Sequence, residues 1–243
     1  MKDTETAIIV LSCDHYSDLW SVFFNTMENF WSNNNFQIFL VTNFKNPNFR
    51  NVEIINIGED LSWSDNLIST LKKLDSYKYV IVMTEDGFLF KSVNNHNLNL
   101  MIDAFKKLNG NCLAFLNDPK PEKKINDFFG EIPKWSPYRS TTTHAIWNRN
   151  HLLSILNPGE SAWEFEKKGS RRTDNFSGYY STWEKNFYLI HGVIKGKWLR
   201  KSISQTKKIY PELIIERPAF SFFEELKWNS YVYIRKLIFL FTP

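Results

Sequence analysis

The chain has 243 residues, 43% apolar and 23% charged, which suits one core with at most a small appendage and excludes a chain disordered throughout. Net charge is +4, but residues 195–243 carry ten Lys/Arg against four Asp/Glu, +6, while 1–194 carry 20 basic and 22 acidic residues, −2. A near-neutral body with a basic, aromatic tail argues against nucleic acid as the partner and suits contact with an anionic membrane surface.

In chain order, AIIVLS (7–12) reads as a buried strand, and 18–31 has apolar residues at helical spacing. FQIFLVT (36–42) is a second strand, and the alternating VEIINI (52–57) a third, nearer an edge. A helix follows over 63–74, with Ser64 as its expected N-cap, then a strand at 79–83. A helix over 97–108 leads to a strand at 112–116. Residues 117–140 read as one long loop, of the kind that in compact domains is functional or disordered. A short strand running into a helix is expected over 142–156, a helix opening at Ser161 over 159–169, and a strand over 186–194. This alternation predicts an α/β fold with a mostly parallel sheet flanked by helices, followed by an aromatic, basic tail.

Cys13 and Cys112 lie in or beside apolar runs without CxxC spacing and fit small buried residues of a reduced compartment. The opening MKDTETAIIVLS has only a short apolar run behind acidic residues, so no signal peptide is expected, and no stretch approaches the roughly 20 apolar residues of a membrane span. The expected location is the cytoplasm.

Several positions could carry chemistry. In YVIVMTEDGFLF (79–90), an apolar strand runs straight into Glu85, Asp86 and a glycine. Such a pair is either a solvated turn or, at the carboxyl end of a central strand, a ligand set for a hard divalent cation that also binds substrate phosphates. SCDHY (12–16) places Asp14 and Tyr16 after the first strand, for helix capping or for holding a base and ribose. Trp63 and Asp65 open the second helix, where an acid is favoured by the helix dipole with no ligand needed. In SAWEFE (161–166), Ser161 and Glu164 have capping-box spacing, which accounts for Glu164 structurally and leaves Glu166 without such a duty. Trp163 beside two carboxylates also has the composition of a sugar-acceptor site, a stacking platform plus a base. Arg171 and Arg172 are cations within reach of a diphosphate or part of a solvated loop, and His191 interrupts an apolar strand as a rim residue or a ligand.

In this order, LSCDHYSDLW, LSWSDNL, VMTEDGFLF and HAIWNRNHLLSILNPGESAWEFEKKGSRR resemble the GT-A glycosyltransferases, and within them bacterial enzymes of lipopolysaccharide, O-antigen and capsule biosynthesis. The resemblance spans about residues 7–200, so 1–200 is the expected GT-A (Rossmann-like) domain and 201–243 an extension that contacts the membrane. It implies a nucleotide-sugar donor, UDP-linked, and a Mn²⁺ or Mg²⁺ ion. TED occupies the place of the family's D-x-D motif, with Thr84 where the first acid usually stands. Asp86 then becomes the metal ligand with Glu85 auxiliary, and His191 matches a late histidine ligand. Asp14, Tyr16, Trp63 and Asp65 would hold the nucleotide, Arg171 and Arg172 the diphosphate, and Trp163 a saccharide or lipid-linked acceptor. Glu166 or Glu164 would serve as the base of an inverting transfer. Two other readings stay open at this point: a metal-dependent nucleotidyltransferase or nuclease, and a GT-A-like binding protein without catalysis.

Overall fold

The computed structural model describes residues 3–228 and Ser230. The first half alternates strand and helix: β1 (Thr6–Leu11), α1 (Ser17–Trp31), β2 (Gln37–Thr42), β3 (Val52–Asn56), α2 (Trp63–Lys73) and β4 (Tyr79–Thr84). These strands pair in parallel in the order β3-β2-β1-β4. Strands β1 and β4 are covered on both faces, which is why they read as unbroken apolar runs rather than alternating ones. Alternate residues still part company. Ile8, Val10, Ile81 and Met83 pack into the layer holding α1, while Ala7, Ile9, Val80 and Val82 pack into the layer holding α2.

The second half is less regular. β5 (Gly87–Leu89), α3 (Asn95–Lys107), β6 (Cys112–Ala114), the short β7 (Lys123–Lys124) and β8 (Phe129–Glu131), β9 (Ala145–Asn148) and α4 (Arg149–Ile155) lead to one helical run. That run comprises α5 (Ala162–Glu164), a π turn (Phe165–Gly169) and α6 (Ser170–Thr173). β10 (Tyr179–Thr182), β11 (Leu189–His191), β12 (Val193–Ile194), β13 (Lys197–Trp198) and α7 (Arg200–Ile209) follow. The main sheet has nine strands in the order β3-β2-β1-β4-β9-β6-β10-β8-β7, with β9 and β8 running against the rest. The sheet is therefore mostly parallel, as its alternation predicts. A two-stranded ribbon pairs β11 antiparallel with β5.

Several expectations need correction. The N-cap of α2 is Ser62, whose hydroxyl accepts the Asp65 N–H at 3.1 Å. Ser64 is buried inside the helix, and its hydroxyl accepts from Glu160 N–H at 2.9 Å. The 117–140 stretch is not structureless, since it contains β7 and β8. The strand expected over 186–194 breaks at Gly192, where a Cβ would sit 2.4 Å from Phe88 and 2.8 Å from Trp198. β10 and α7 gave no sequence signal that was recognised.

Beyond α7 the chain returns to the body. Leu213 joins the core, and Trp198 exchanges backbone hydrogen bonds with Pro218 and Phe220, each at 2.9 Å. Residues 222–228 are helical. The tail aromatics and cations from Tyr231 onward lie outside the described residues. Among the described residues no helix is long and apolar enough to cross a membrane.

Candidate functional site

The two acids occupy the turn from β4 into β5, at the carboxyl end of the strand beside the sheet's centre. Pairing of β5 with β11 sets His191 opposite Gly87, and the Gly192 N–H donates to the Asp86 carbonyl at 2.8 Å. Two segments about a hundred residues apart thus bring Asp86 and His191 together. Gly87 gives the His144 ring room, since a Cβ would sit 3.3 Å from it.

The acids floor a cavity of about 340 Å³. Tyr16 and Cys13 come from the loop after β1, Asp60, Trp63 and Asn66 from the start of α2, Trp163 from the helical run, and Lys195 from the turn after β12. Burial, and then the neighbouring Asp86, pushes the Glu85 carboxyl up to about 8, against the opposing pull of Arg217. Burial also raises Asp86, opposed by a hydrogen bond from the Thr84 hydroxyl and by His191. Both groups therefore favour a proton or another cation close by. The Cys13 thiol is pushed up to about 11 by burial and by Asp60, so it stays protonated and is no nucleophile at neutral pH. The Trp63 indole N–H is buried in the cavity wall and finds no hydrogen-bond partner among the described residues.

Other candidate residues are tied elsewhere. The Asp14 carboxylate accepts the backbone N–H groups of Asn43, Phe44 and Lys45, each at 3.1 Å, and so joins the loops after β1 and β2. Asp65 accepts the Ser62 hydroxyl at 2.6 Å and the Gly159 N–H at 2.9 Å, which hold its carboxyl low. Glu164 completes the capping box with Ser161 and also accepts from Lys168 at 2.9 Å; these bonds, the Ser161 N–H foremost, bring its carboxyl down to about 2. Glu166 sits half-buried in the π turn, where it accepts the Thr142 hydroxyl at 2.7 Å. Arg172 forms a two-pronged ion pair with Glu160, at 2.9 and 2.6 Å, and Arg171 is on the exposed side of α6.

Four residues that sequence reasoning passed over contribute here. Asn66 lies one turn from Trp63, so the i, i+3 spacing that puts both on one face was readable, as was the displacement of Asp65 from it. Asp60 accepts from the Asn66 amide at 2.7 Å. Lys195 precedes Gly196, and both have positive φ, the signature of a tight hairpin turn. Arg217 gave no local signal. It pairs with Asp18 at 2.5 Å, donates to the His15 carbonyl at 2.7 Å, and lays its guanidinium 4.4 Å from the centre of the Tyr16 ring.

Among the described residues no group of three or more His, Cys, Asp or Glu is placed to hold a metal ion. Asp86 and His191, the two expected ligands, come together at the turn into β5, with Glu85 next to Asp86. A hard cation fits such a set when phosphate oxygens and water complete its shell.

A mostly parallel sheet flanked by helices, with an antiparallel strand next to β4, is a GT-A-type fold. Among solved structures, S. aureus TarS (residues 1–349) superposes with a TM-score of 0.50 at 13% identity, over 77% of this chain and 60% of that one. The same fragment in complex with UDP-GlcNAc gives 0.49 at 12% identity, over 77% and 58%. A putative nucleotide-diphospho-sugar transferase from Desulfovibrio desulfuricans gives 0.45 at 8% identity, over 72% and 78%. The likeness is one of fold, and the chain spans 60% of the length of the TarS fragment. No protein-family model matches the chain, and neither does any curated protein.

Proposed function

We propose that the protein is a glycosyltransferase that moves a sugar from a nucleotide donor, UDP-linked, to a saccharide or lipid-linked acceptor in cell-surface polysaccharide synthesis. The observation that supports this most is the cavity itself. It joins the buried Glu85 and the half-buried Asp86 at a strand end to two aromatic walls, Tyr16 and Trp63, and to a half-exposed tryptophan, Trp163. Tyr16 and Trp63 flank the base, Asn66 and Asp60 take ribose hydroxyls, and the diphosphate lies toward Asp86. Asp86 and His191 hold a divalent cation together with the diphosphate, and that ion would offset charge on the leaving group. Lys195 is the cation of the cavity wall that faces the same charge. Asp14 and Asp65 act on the nucleotide indirectly, by fixing the loops that hold Tyr16 and Trp63.

On the acceptor side, a sugar stacks on Trp163. Glu166 removes the proton of the attacking hydroxyl in an inverting displacement, a role worth roughly 10²–10⁴ in rate. Glu164, held ionised by its cap and Lys168, shapes the helix start instead. A reading as a nucleotide-binding protein without catalysis draws on one observation, Thr84 in place of a further acid. Incubation with a panel of nucleotide sugars and Mn²⁺ decides between the two. Release of nucleoside diphosphate that depends on Glu166 supports the transferase, and nucleotide binding without release supports the other.

A further inference from the structure

The loop after β1 is gripped from the far end of the chain. Arg217 stands in the segment after α7, and its neighbours fix its place. On one side Leu213 enters the core. On the other, Pro218 and Phe220 exchange backbone hydrogen bonds with Trp198, whose ring packs on Phe88 of β5 with centres 5.7 Å apart. The guanidinium is thereby delivered to the start of α1. Its Nε and Nη2 donate to the two Asp18 carboxylate oxygens at 2.7 and 2.5 Å, and Nη2 also donates to the His15 carbonyl at 2.7 Å. Nη1 reaches the Gly196 carbonyl at 3.5 Å, beside Lys195 of the cavity wall. The central carbon of the group lies over the Tyr16 ring, 4.4 Å from its centre.

Stability is a weak reason for this arrangement. The Arg217 and Asp18 side chains are only 8% and 13% exposed, and desolvation offsets much of the attraction in a buried ion pair. What a two-pronged pair supplies is geometry, because it fixes the plane of the guanidinium against both carboxylate oxygens. That plane is what meets Tyr16. Asp18 is a firm anchor, since it belongs to α1, whose next residues, Leu19 and Trp20, are buried in the core. Tyr16 ends a single turn of 3-10 helix, Asp14–Tyr16, none of whose three residues is buried. Tyr16 lines the cavity and Arg217 does not, so the cation backs the ring from outside.

We propose that Arg217 is a positioning residue of the nucleotide site: gripping Asp18, it holds the Tyr16 ring at the angle on which the base of the donor nucleotide stacks. This rests on the reading of the cavity as a nucleotide site. The cation touches no substrate and acts through the ring.

Calorimetry of UDP with Mn²⁺ on wild type, Arg217→Ala, Tyr16→Ala and the double variant tests it, with melting curves on the same samples. Each single variant should bind UDP about tenfold more weakly, the loss of one base–aromatic stack. The double variant should bind no more weakly than Tyr16→Ala alone, whereas a residue that merely steadied the fold would add its own loss. Arg217→Lys should fall with Arg217→Ala, since an ammonium cannot both grip two carboxylate oxygens and lie flat on a ring. Wild-type affinity in Arg217→Ala overturns the proposal. So do multiplied losses in the double variant, full affinity in Arg217→Lys, and loss of cooperative melting in both Arg217 variants. Absence of UDP binding by the wild type would instead overturn the reading of the cavity.

Discussion

Glu85 is buried beside a second acid, and that sets a measurable pH dependence. Its carboxyl is raised from an ordinary 4.5 to about 8, chiefly by burial. Between those values the folded chain keeps a proton that the unfolded chain has released. Stability therefore falls as pH rises through that window; the penalty is absent below it and complete above it. Glu85→Gln should flatten the fall in melting temperature between pH 5 and 8.5 in metal-free buffer, and parallel curves for the two proteins would contradict the assignment. Glu166→Gln should lower turnover by about 10²–10⁴ with nucleotide affinity intact. Glu164→Gln should cost thermal stability and leave turnover near wild type. A Glu164 variant silent in melting but inactive would transfer the base role. The cluster of acids was legible because an apolar strand that ends on two carboxylates is unusual in sequence. The engagements of Asp14 and Arg172 were not, because their partners lie in separate elements, in the loop after β2 and at Glu160.

At the scale of elements, the sheet's parallel half was readable from its unbroken apolar runs, and α1 and α2 from their period. In the second half α3, β6, β9 with α4, and β11 were readable too, but β5, β7, β8 and β13 were not, because strands of two or three residues are too short to show a period. β10 has four residues, YYST, whose polar pair lies buried between β6 and β8, so composition misleads there. The most consequential short element is the β5–β11 ribbon, which brings His191 to Asp86. It depends on Gly192, where any Cβ collides with Phe88 and Trp198. Gly192→Ala should destabilise the protein by about 1–3 kcal/mol through overpacking. It should also weaken metal-supported nucleotide binding beyond what the fold loss explains. Unchanged melting would show that the two rings give way.

At the scale of the whole molecule, the part after 200 packs against two residues of the cavity wall, Tyr16 and Trp163. Arg217 reaches Tyr16 and Asp18, and Trp228 packs edge-on against Trp163 with ring centres 5.7 Å apart. The same helical stretch leaves Phe222, Phe223 and Leu226 exposed. Sequence composition revealed a basic, aromatic tail but not its return to the cavity, which is set by contacts about two hundred residues apart. Exposed apolar residues beside the proposed acceptor site suit the proposed hold on an anionic membrane. Full-length protein should sediment with vesicles containing anionic lipid and release in high salt, and deletion of 220–243 should abolish this while UDP binding persists. Equal sedimentation with neutral vesicles, or unfolding on deletion, would count against the membrane role. The turn closing β4 is the proposed seat of a cation and a nucleotide diphosphate. Calorimetry of UDP binding, with and without Mn²⁺, in wild type and Asp86→Asn, tests it most directly. Mn²⁺ should tighten UDP binding to wild type and lose that effect in the variant, whose melting curve stays cooperative; the same Mn²⁺-dependent gain in both proteins would contradict it.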